Sequence, residues 1–212
     1  MKNPLVRLVP LLFAVLCPLG AQEFYYPRHN FTFGAGIARP RGNLYGLLDD
    51  APLISIAYGY RFMRYFQADV GLDMAFGAAG VKDFLPTQIG YYRISDREYF
   101  LPFGGRAIAP LLSGRLLISG GAGGAWLKYH ERTSQPSQYI HIDCPGCTSR
   151  SGWGWYSLAN VSYFLNSGKN FRVGATARMI RGHTDGGPLG LLPPYQTNDN
   201  WLNMWAEVGF SF

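Results

Sequence analysis

The chain of 212 residues has few charges, few cysteines and only one long apolar stretch. That stretch, residues 8–16, is too short for a transmembrane helix, which needs about 20 apolar residues. Charged residues make up 15% of the chain, and the formal net charge of +6 arises without a basic tract. The sequence therefore indicates neither a helical membrane protein nor a nucleic-acid partner.

The N-terminal residues have the features of a secretory signal. Lys2 and Arg7 precede the apolar stretch, and the small residues Gly20 and Ala21 follow it. A basic start, a compact apolar region and a small residue at the cleavage position are what an export signal requires. We predict that residues 1–21 are a signal peptide cleaved after Ala21, which leaves residues 22–212 as one exported domain.

Two of the three cysteines would remain after cleavage, Cys144 and Cys147 in the motif Cys-Pro-Gly-Cys. In an oxidising compartment this pair, placed around a Pro-Gly turn, is predicted to form a disulfide at a loop tip. Two ligands do not make a zinc site, and no βαβ pattern surrounds the pair as a thioredoxin-type motif would require. No metal and no cofactor are predicted.

The C-terminal residues alternate strictly between apolar and mixed side chains. The apolar positions are Leu202, Met204, Ala206, Val208, Phe210 and Phe212. This alternation predicts a strand with one apolar face. The closing residues resemble the terminal strand of bacterial outer-membrane β-barrels, in which the final aromatic residues are read as an insertion signal. The resemblance assigns that role to Phe210 and Phe212.

Eight segments of the exported domain have strand-like alternation. They are Phe31–Arg39, Pro52–Phe62, Arg64–Gly77, Tyr99–Ala109, Arg115–Tyr129, Trp153–Leu165, Asn170–Arg181 and Asn200–Phe212. Each has about the 9 to 11 residues that a tilted strand needs to cross the hydrocarbon core, and some have more. Pro102 lacks an N–H group, so it should interrupt the ladder or mark a bulge.

Long and short connections alternate between these segments. The short ones are residues 62–64, 110–113 and 166–169, and the long ones are 40–51, 78–98, 130–152 and 182–199. Short periplasmic turns and long extracellular loops produce this pattern in an up-and-down barrel. Because lipid offers no hydrogen-bond partner to a sheet edge, the sheet must close. The predicted fold is all-β, an eight-stranded antiparallel up-and-down transmembrane β-barrel.

In topology the chain resembles the small eight-stranded outer-membrane barrels, a family that includes the OmpA transmembrane domain, OmpX and OmpW. The resemblance implies residence in the bacterial outer membrane, among its lipid and lipopolysaccharide, after insertion by the outer-membrane assembly machinery. The interior of an eight-stranded barrel is just wide enough to be filled by side chains. We predict a non-enzymatic protein with a filled lumen, four extracellular loops and a structural or surface-interaction role. The sequence does not identify an extracellular partner.

Several charged residues fall on the strand faces predicted to point inward. They are Arg61, Asp69, Asp73, Arg106, Arg172, Arg178 and Glu207. Buried charges must satisfy one another, since an unpaired one is costly. We therefore predict an ion-paired network that fills the lumen.

Two alternative functions remain open. Outer-membrane lipid A deacylases carry a catalytic His just after the seventh strand, and His183 lies there, with Thr184 and Glu207 as the other candidate catalytic residues. The serine that these enzymes place two residues later is Asp185 here, and a hydrolase needs a hydroxyl nucleophile. The second alternative is a narrow channel or hydrophobic-ligand carrier of the OmpW type, since the glycines of residues 120–124 would either leave lumen volume unfilled or allow tight curvature.

Overall fold

A computed structural model describes residues 26–45, 48–78, 85–87, 90–134, 149–187 and 197–212. The predicted signal peptide, residues 1–21, and the predicted disulfide between Cys144 and Cys147 lie outside these residues and stay predictions. Within the described ranges, no helix is long and apolar enough to cross a membrane.

The described chain is almost entirely β-strand. The strands are β1 (His29–Pro40), β2 (Ala51–Met63), β3 (Phe66–Phe76), β4 (Leu85–Thr87), β5 (Gly90–Leu111), β6 (Leu116–Ser134), β7 (Ser149–Phe164), β8 (Phe171–Gly186) and β9 (Thr197–Ser211). Every pairing is antiparallel, and a ladder between β3 and β5 closes the sheet. The short strand β4 pairs only with β5 and stands outside the closed ring. The predicted eight-stranded antiparallel barrel is confirmed.

The two ends of the barrel differ. The turn end carries the short connections, including the turn at residues 64–65 and the 3-10 turn Leu112–Gly114. Strand β1 begins and β9 ends there, because the backbone N–H of His29 donates to the carbonyl of Phe212. The loop end carries the long connections. The two ends therefore have the asymmetry that the connection lengths predicted.

Alternation along each strand separates an apolar outer wall from a polar interior. Large apolar side chains point outward and stay exposed, including Phe33, Ile54, Val70, Phe103, Ile118, Val161, Val173, Val208 and Phe212. On β9 their neighbours Trp205 and Glu207 point inward and are buried. Such an outer wall can be covered by hydrocarbon, whereas water would leave it as a continuous exposed apolar surface.

The strands extend further toward the loop end than the sequence predicted. Strand β5 was expected to begin at Tyr99 but begins at Gly90, and β6 runs to Ser134 instead of Tyr129. Strand β8 likewise continues to Gly186, and β9 begins at Thr197. At the turn end, β3 starts at Phe66, two residues later than expected, because residues 64–65 form the turn.

Pro102 interrupts one of the two ladders of β5, as predicted. Pairing with β3 is broken between Val70–Phe103 and Asp73–Phe100, whereas pairing with β6 continues through Pro102 and Ala125. The missing N–H of proline explains why one side of the strand loses its ladder bond.

The glycines of β6 allow close approach of neighbouring strands. A Cβ added to Gly123 would lie 2.2 Å from the carbonyl oxygen of Phe103 and 2.6 Å from the Cα of Gly104. Backbone of β5 therefore occupies the space that a side chain would need. This favours the curvature interpretation of residues 120–124 over unfilled volume.

The connection between β1 and β2 folds over the barrel mouth. Leu44 and Leu48 are 1% and 3% exposed and pack in the same apolar cluster as Trp201. Its ends are tied by backbone bonds, from the N–H of Arg41 to Asn200 and from the N–H of Asp49 to Ala78. Residues 40–51 were predicted to be a long extracellular loop, and two of their leucines turn inward because the mouth offers apolar surface to bury.

Candidate functional site

The barrel interior holds a set of buried, hydrogen-bonded polar side chains. The structure places all seven charged residues predicted to face the lumen inside it: Arg61, Asp69, Asp73, Arg106, Arg172, Arg178 and Glu207. They come from β2, β3, β5, β8 and β9. Inward-facing positions on these strands bring the seven residues into one column, which is arranged in layers from the turn end to the loop end.

The central layer is built around Asp73, which is fully buried. Arg178 Nη1 donates to Asp73 Oδ2 over 2.5 Å, and Ser55 Oγ donates to Oδ1 over 2.7 Å. Asn203 Nδ2 donates to Oδ2 over 3.3 Å. The carboxylate thus exchanges its lost water contacts for three donors, one of them charged.

Two aromatic rings enclose the cation of this layer. The Arg178 guanidinium lies 5.2 Å from the ring centroid of Tyr156 and 4.9 Å from that of Trp205. A Cβ on Gly34 would come within 2.1 Å of Trp205 Cδ1, so glycine at this position makes room for the indole. Cation–π contacts of this kind are stronger when the cation is desolvated.

A second buried carboxylate, that of Asp69, lies closer to the turn end. Asp69 accepts from Arg106 Nε and from Gln67 Nε2, each over 2.6 Å. Arg106 and Asp69 have side chains that are only 9% and 6% exposed. This second buried ion pair links β3 to β5, next to the seam that closes the barrel.

Glu207 is held by neutral donors. Asn160 Nδ2 donates to Oε1 over 2.9 Å, and Thr176 Oγ1 donates to Oε2 over 2.8 Å. Trp205 Nε1 donates to Oε2 over 3.1 Å. Glu207 on β9 is therefore anchored to β7 and β8, without an ion pair among the described residues.

Two of the predicted arginines have no ion pair within the described chain. Arg172 Nη1 donates over 3.0 Å to Asn30 Oδ1, which also accepts from Ser211 Oγ over 2.8 Å. Arg61 Nε donates to the carbonyl of Arg64 over 3.0 Å. The network therefore consists of two ion pairs and several charge-to-neutral hydrogen bonds, which is less completely ion-paired than expected.

A buried aromatic cluster lies in the lumen on the loop-end side of the central ion pair. Trp201 lies between Phe100 and Tyr129, with ring centroids 5.3 Å and 6.2 Å away. Trp201 Nε1 donates to the Tyr129 hydroxyl over 2.9 Å, which satisfies both buried polar groups. All three residues alternate inward on predicted strands, but alternation alone does not show that their rings meet.

An acidic layer follows at the loop end. Asp96 and Glu98 are 2% and 0% exposed, and none of their carboxylate oxygens has a hydrogen-bond partner within the described chain. Burial raises the pKa of Glu98 well above its ordinary value. Burial, with a smaller contribution from the Glu131 carboxylate, raises the pKa of Asp96 to about 7. Sequence reasoning missed these residues because it assigned Asp96 and Glu98 to a loop.

Arg150 and Asp199 form a separate polar cluster in the same region. Arg150 Nε donates to Thr184 Oγ1 over 3.0 Å, and its Nη2 donates to Thr197 Oγ1 over 2.8 Å. Thr184 Oγ1 and Thr197 Oγ1 in turn donate to Asp199 over 2.5 Å and 2.7 Å. The two threonines thus bridge the guanidinium and the carboxylate and join β7, β8 and β9.

The structure does not bring the candidate catalytic residues together. His183 is exposed on the outer wall, whereas Thr184 is fully buried in the cluster with Arg150. Glu207 pairs with Gly174, nine residues from His183 along β8, which corresponds to about 30 Å. A histidine base would have to lie within hydrogen-bond reach of its nucleophile. This geometry does not fit the deacylase alternative.

No set of three His, Cys, Asp or Glu residues within the described ranges is placed to hold a metal ion. The oxygens of Asp96 and Glu98 lack hydrogen-bond partners within the described residues, and these two carboxylates have no third ligand of this kind nearby.

Comparison with known proteins gives similarity in structure but not in sequence. No family model and no curated protein sequence matches the chain. The fold is similar to Neisserial surface protein A, with a TM-score of 0.57, 14% identity, and coverage of 87% of this chain and 97% of that one. It is also similar to the outer-membrane protein OprG of Pseudomonas aeruginosa, with a TM-score of 0.50, 12% identity, and coverage of 88% and 97%.

A third similar structure is Ail, the attachment invasion locus protein of Yersinia pestis, in complex with the heparin analogue sucrose octasulfate. It has a TM-score of 0.50 and 13% identity, and the match covers 88% of this chain and 100% of that one. Sequence identities this low establish the fold alone. The chain therefore has the fold of the small eight-stranded outer-membrane β-barrel proteins.

Proposed function

We propose that the protein is an integral, non-enzymatic protein of the bacterial outer membrane, with a lumen closed by side chains. The apolar outer wall supports the membrane location, because its exposed side chains suit hydrocarbon and outer-membrane lipid. The final residues Phe210 and Phe212 are 49% and 61% exposed on that wall, where the assembly machinery could read them. The turn end then faces the periplasm, and the loop end faces the exterior, next to lipopolysaccharide.

One observation carries the proposal: the stacking of ion-paired and aromatic layers along the lumen. Asp69 with Arg106, Asp73 with Arg178, and the ring of Trp201 lie at successive levels. Buried ion pairs of this kind cannot part without leaving desolvated charges behind. The lumen is therefore a rigid support and not a path for solutes.

The role that remains is structural or lies at the exposed loop end. Connections and strand extensions concentrate there, and residues on such surface segments are free to serve recognition. Ail, which shares the fold, forms a complex with a heparin analogue. We propose a surface interaction of this protein at the loop end, with a partner that is not identified.

The proposal is tested by expressing the chain in a bacterium with an outer membrane. The protein should fractionate with the outer membrane, need detergent for solubility, and migrate differently on a gel before and after boiling. Mass spectrometry of lipid A should show the same acylation with and without expression, and equally with His183→Ala. Solubility without detergent would overturn the membrane assignment, and altered acylation that His183→Ala abolishes would restore the deacylase alternative.

A further inference from the structure

A groove of about 400 Å³ lies on the outer wall near the loop end of the barrel. It is lined by outward side chains of β7, β8 and β9 and by the 3-10 turn Gly42–Leu44 in the connection between β1 and β2. The N–H of Arg41 donates to the carbonyl of Asn200 over 2.8 Å, which holds this turn against β9. Ligand sites commonly have volumes of roughly 300 to 1,000 Å³, so the groove is large enough for a small organic group.

Strand register places the side chains of the groove in two neighbouring rows. Trp155 on β7, Arg181 on β8 and Asn200 on β9 are register partners. Two residues nearer the loop end, His183 on β8 pairs with Asn198 on β9. Because successive residues of a strand alternate between faces, these five side chains share the outward face. The register therefore brings an aromatic ring, a guanidinium, an imidazole and two amides to one patch of the outer wall.

The Asn200 amide has a polar atom that the fold leaves without a partner. Its Oδ1 is buried and accepts no hydrogen bond from any described residue. Gly42, with a φ of +59°, approaches the same amide from the turn, and a Cβ added to it would lie 3.8 Å from Asn200 Nδ2. A buried carbonyl oxygen without a donor is costly. A ligand hydroxyl that donates to Asn200 Oδ1 would remove this cost.

The charged groups at the groove balance one another. Arg181 supplies a positive charge, and its guanidinium lies 5.7 Å from the ring centroid of Trp155. Asp199, which also lines the groove, supplies a negative charge and accepts hydrogen bonds from two threonine hydroxyls. An anion at the groove would gain attraction from the arginine and lose it again to the carboxylate. The described lining therefore suits a neutral polar ligand better than a phosphate.

An exposed indole beside amides is suited to a sugar. An indole offers a flat apolar face to the C–H face of a sugar ring, and an amide both donates to and accepts from hydroxyl groups. Trp155 is 48% exposed, and Trp153, the register partner of His183, is 63% exposed. The amides are those of Asn43, Asn198 and Asn200. The groove therefore has the composition of a carbohydrate site.

An apolar stripe on the outer wall leads from the groove toward the turn end. Met179 and Leu202 are the next outward residues after Arg181 and Asn200, and Met204, which is 37% exposed, follows on β9. Two residues of a strand span about 7 Å, so the stripe begins directly beside the groove. In the proposed orientation the stripe meets the acyl chains of the outer leaflet, and the groove lies at the level of the headgroups.

We propose that this groove binds the sugar headgroup of a glycolipid of the outer leaflet. A sugar ring packs on the exposed part of Trp155, one hydroxyl donates to Asn200 Oδ1, and Arg181 donates to a sugar oxygen. The acyl chains of the same molecule follow the apolar stripe of Met179 and Leu202. The inference rests on the proposed membrane location and names a partner for the proposed surface interaction at the loop end.

The test is a binding titration with the purified protein in a detergent whose headgroup is not a sugar, followed by native mass spectrometry. The probes are digalactosyldiacylglycerol, phosphatidylglycerol with the same acyl chains, and the free disaccharide galactobiose. We expect the galactolipid to bind most tightly of the three. Asn200→Ala should weaken its binding about tenfold, as for the loss of one buried hydrogen bond. Trp155→Leu, which removes the flat face, should weaken it by a similar factor and is the second variant if Asn200→Ala misfolds.

Trp126→Leu is the matched control. Trp126 pairs with the outward residues Leu101 and Trp153, and it also has a cation over its ring, Lys128 at 6.0 Å, but it does not line the groove. The control therefore removes an indole of the same kind from the outer wall and should leave binding of the galactolipid unchanged.

Each other outcome contradicts part of this proposal. Equal binding of phosphatidylglycerol would overturn recognition of the sugar, and galactobiose binding as tightly as the galactolipid would overturn the lipid as occupant. An equal loss with Trp126→Leu would overturn the groove as the site. A failed titration on protein that still shows the heat-dependent gel shift refutes the groove alone, whereas loss of the gel shift and of the detergent requirement refutes the membrane location.

Discussion

At the residue scale, the fold depends on a few buried charges whose partners come from distant strands. Asp73 on β3 and Arg178 on β8 are 105 positions apart in sequence and lie on opposite sides of the lumen. This ion pair connects two opposite strands across the lumen, in addition to the backbone hydrogen bonds that join neighbouring strands. Removing one partner leaves the other charge without water and without compensation.

Replacement of Asp73 by Ala should therefore destabilise the barrel by about 3–5 kcal/mol. The double variant Asp73→Ala with Arg178→Met should recover part of that loss, since no buried charge is left unpaired. Urea unfolding in lipid vesicles, followed by tryptophan fluorescence, measures both. The control is Arg39→Gln, which breaks the exposed Arg39–Asp50 pair and should change the free energy of unfolding far less, because solvent screens an exposed pair. Equal losses at the two pairs would contradict the described network.

Asp96 predicts an unusual pH dependence. The ordinary pKa of an Asp carboxyl is about 3.9, whereas burial and Glu131 raise the pKa of Asp96 to about 7 in the folded protein. Between these values the folded protein holds a proton that the unfolded chain has released. The stabilisation is complete below pH 4 and is lost as the pH rises through 7.

We expect Asp96→Asn to be more stable than the natural protein at pH 8 and nearly equal to it at pH 4. The gain at pH 8 should be about 2–4 kcal/mol, because solvent screening reduces the roughly 4 kcal/mol that a difference of about three pKa units implies. Unfolding midpoints at the two pH values measure the difference. Asp185→Asn is the matched control, because it makes the same chemical change at an exposed position of the same end. A natural protein that gains stability between pH 4 and 8 through Asp96 would contradict the burial of this carboxyl.

At the element scale, the eight strands, their outward faces and their order follow from alternation in the sequence. The residues at which the strands stop on the loop side do not follow from this alternation. Arg181, His183 and Asp185 still point outward on β8, but they no longer form the apolar pattern that marks a lipid-facing strand. Outside the hydrocarbon core a strand still forms backbone hydrogen bonds with its neighbours, but its outward side chains no longer have to be apolar. The strand therefore continues where the apolar alternation that predicts it has ended.

The same limit explains which parts of the lumen could be predicted. Arg178 and Asp73 were assigned from the inward parity of strands whose outer faces are apolar. Asp96 and Asp199 were missed because they lie on strand extensions with polar outer faces. Which inward charges pair depends on strand stagger around the closed barrel, and the sequence contains no local signal for that stagger.

The connection between β1 and β2 gives a prediction at this scale. Leu44→Ala should loosen the cover of the barrel mouth, because Leu44 is 1% exposed, whereas Tyr45→Ala should not, because Tyr45 is 75% exposed. Trypsin should then cleave after Arg41 several-fold faster in Leu44→Ala than in the natural protein or in Tyr45→Ala. Equal cleavage rates in all three proteins would show that this connection does not pack into the mouth.

At the scale of the whole molecule, the lumen is polarised. Cations without ion pairs, Arg61 and Arg172, lie toward the turn end, and the acidic side chains of Asp96 and Glu98 lie toward the loop end. Between them, the ion pairs and the aromatic layer around Trp201 separate the two ends. The central claim is that these layers close the barrel to solutes and leave function to its two surfaces.

Planar-bilayer recording of the purified, reconstituted protein tests that claim most directly. The account predicts at most small and rare conductance steps at neutral pH, because no layer can open without separating a buried ion pair or unpacking the aromatic rings. A general porin reconstituted in the same bilayer shows that open channels would be detected. Large, steady conductance steps from the natural protein would contradict the closed lumen.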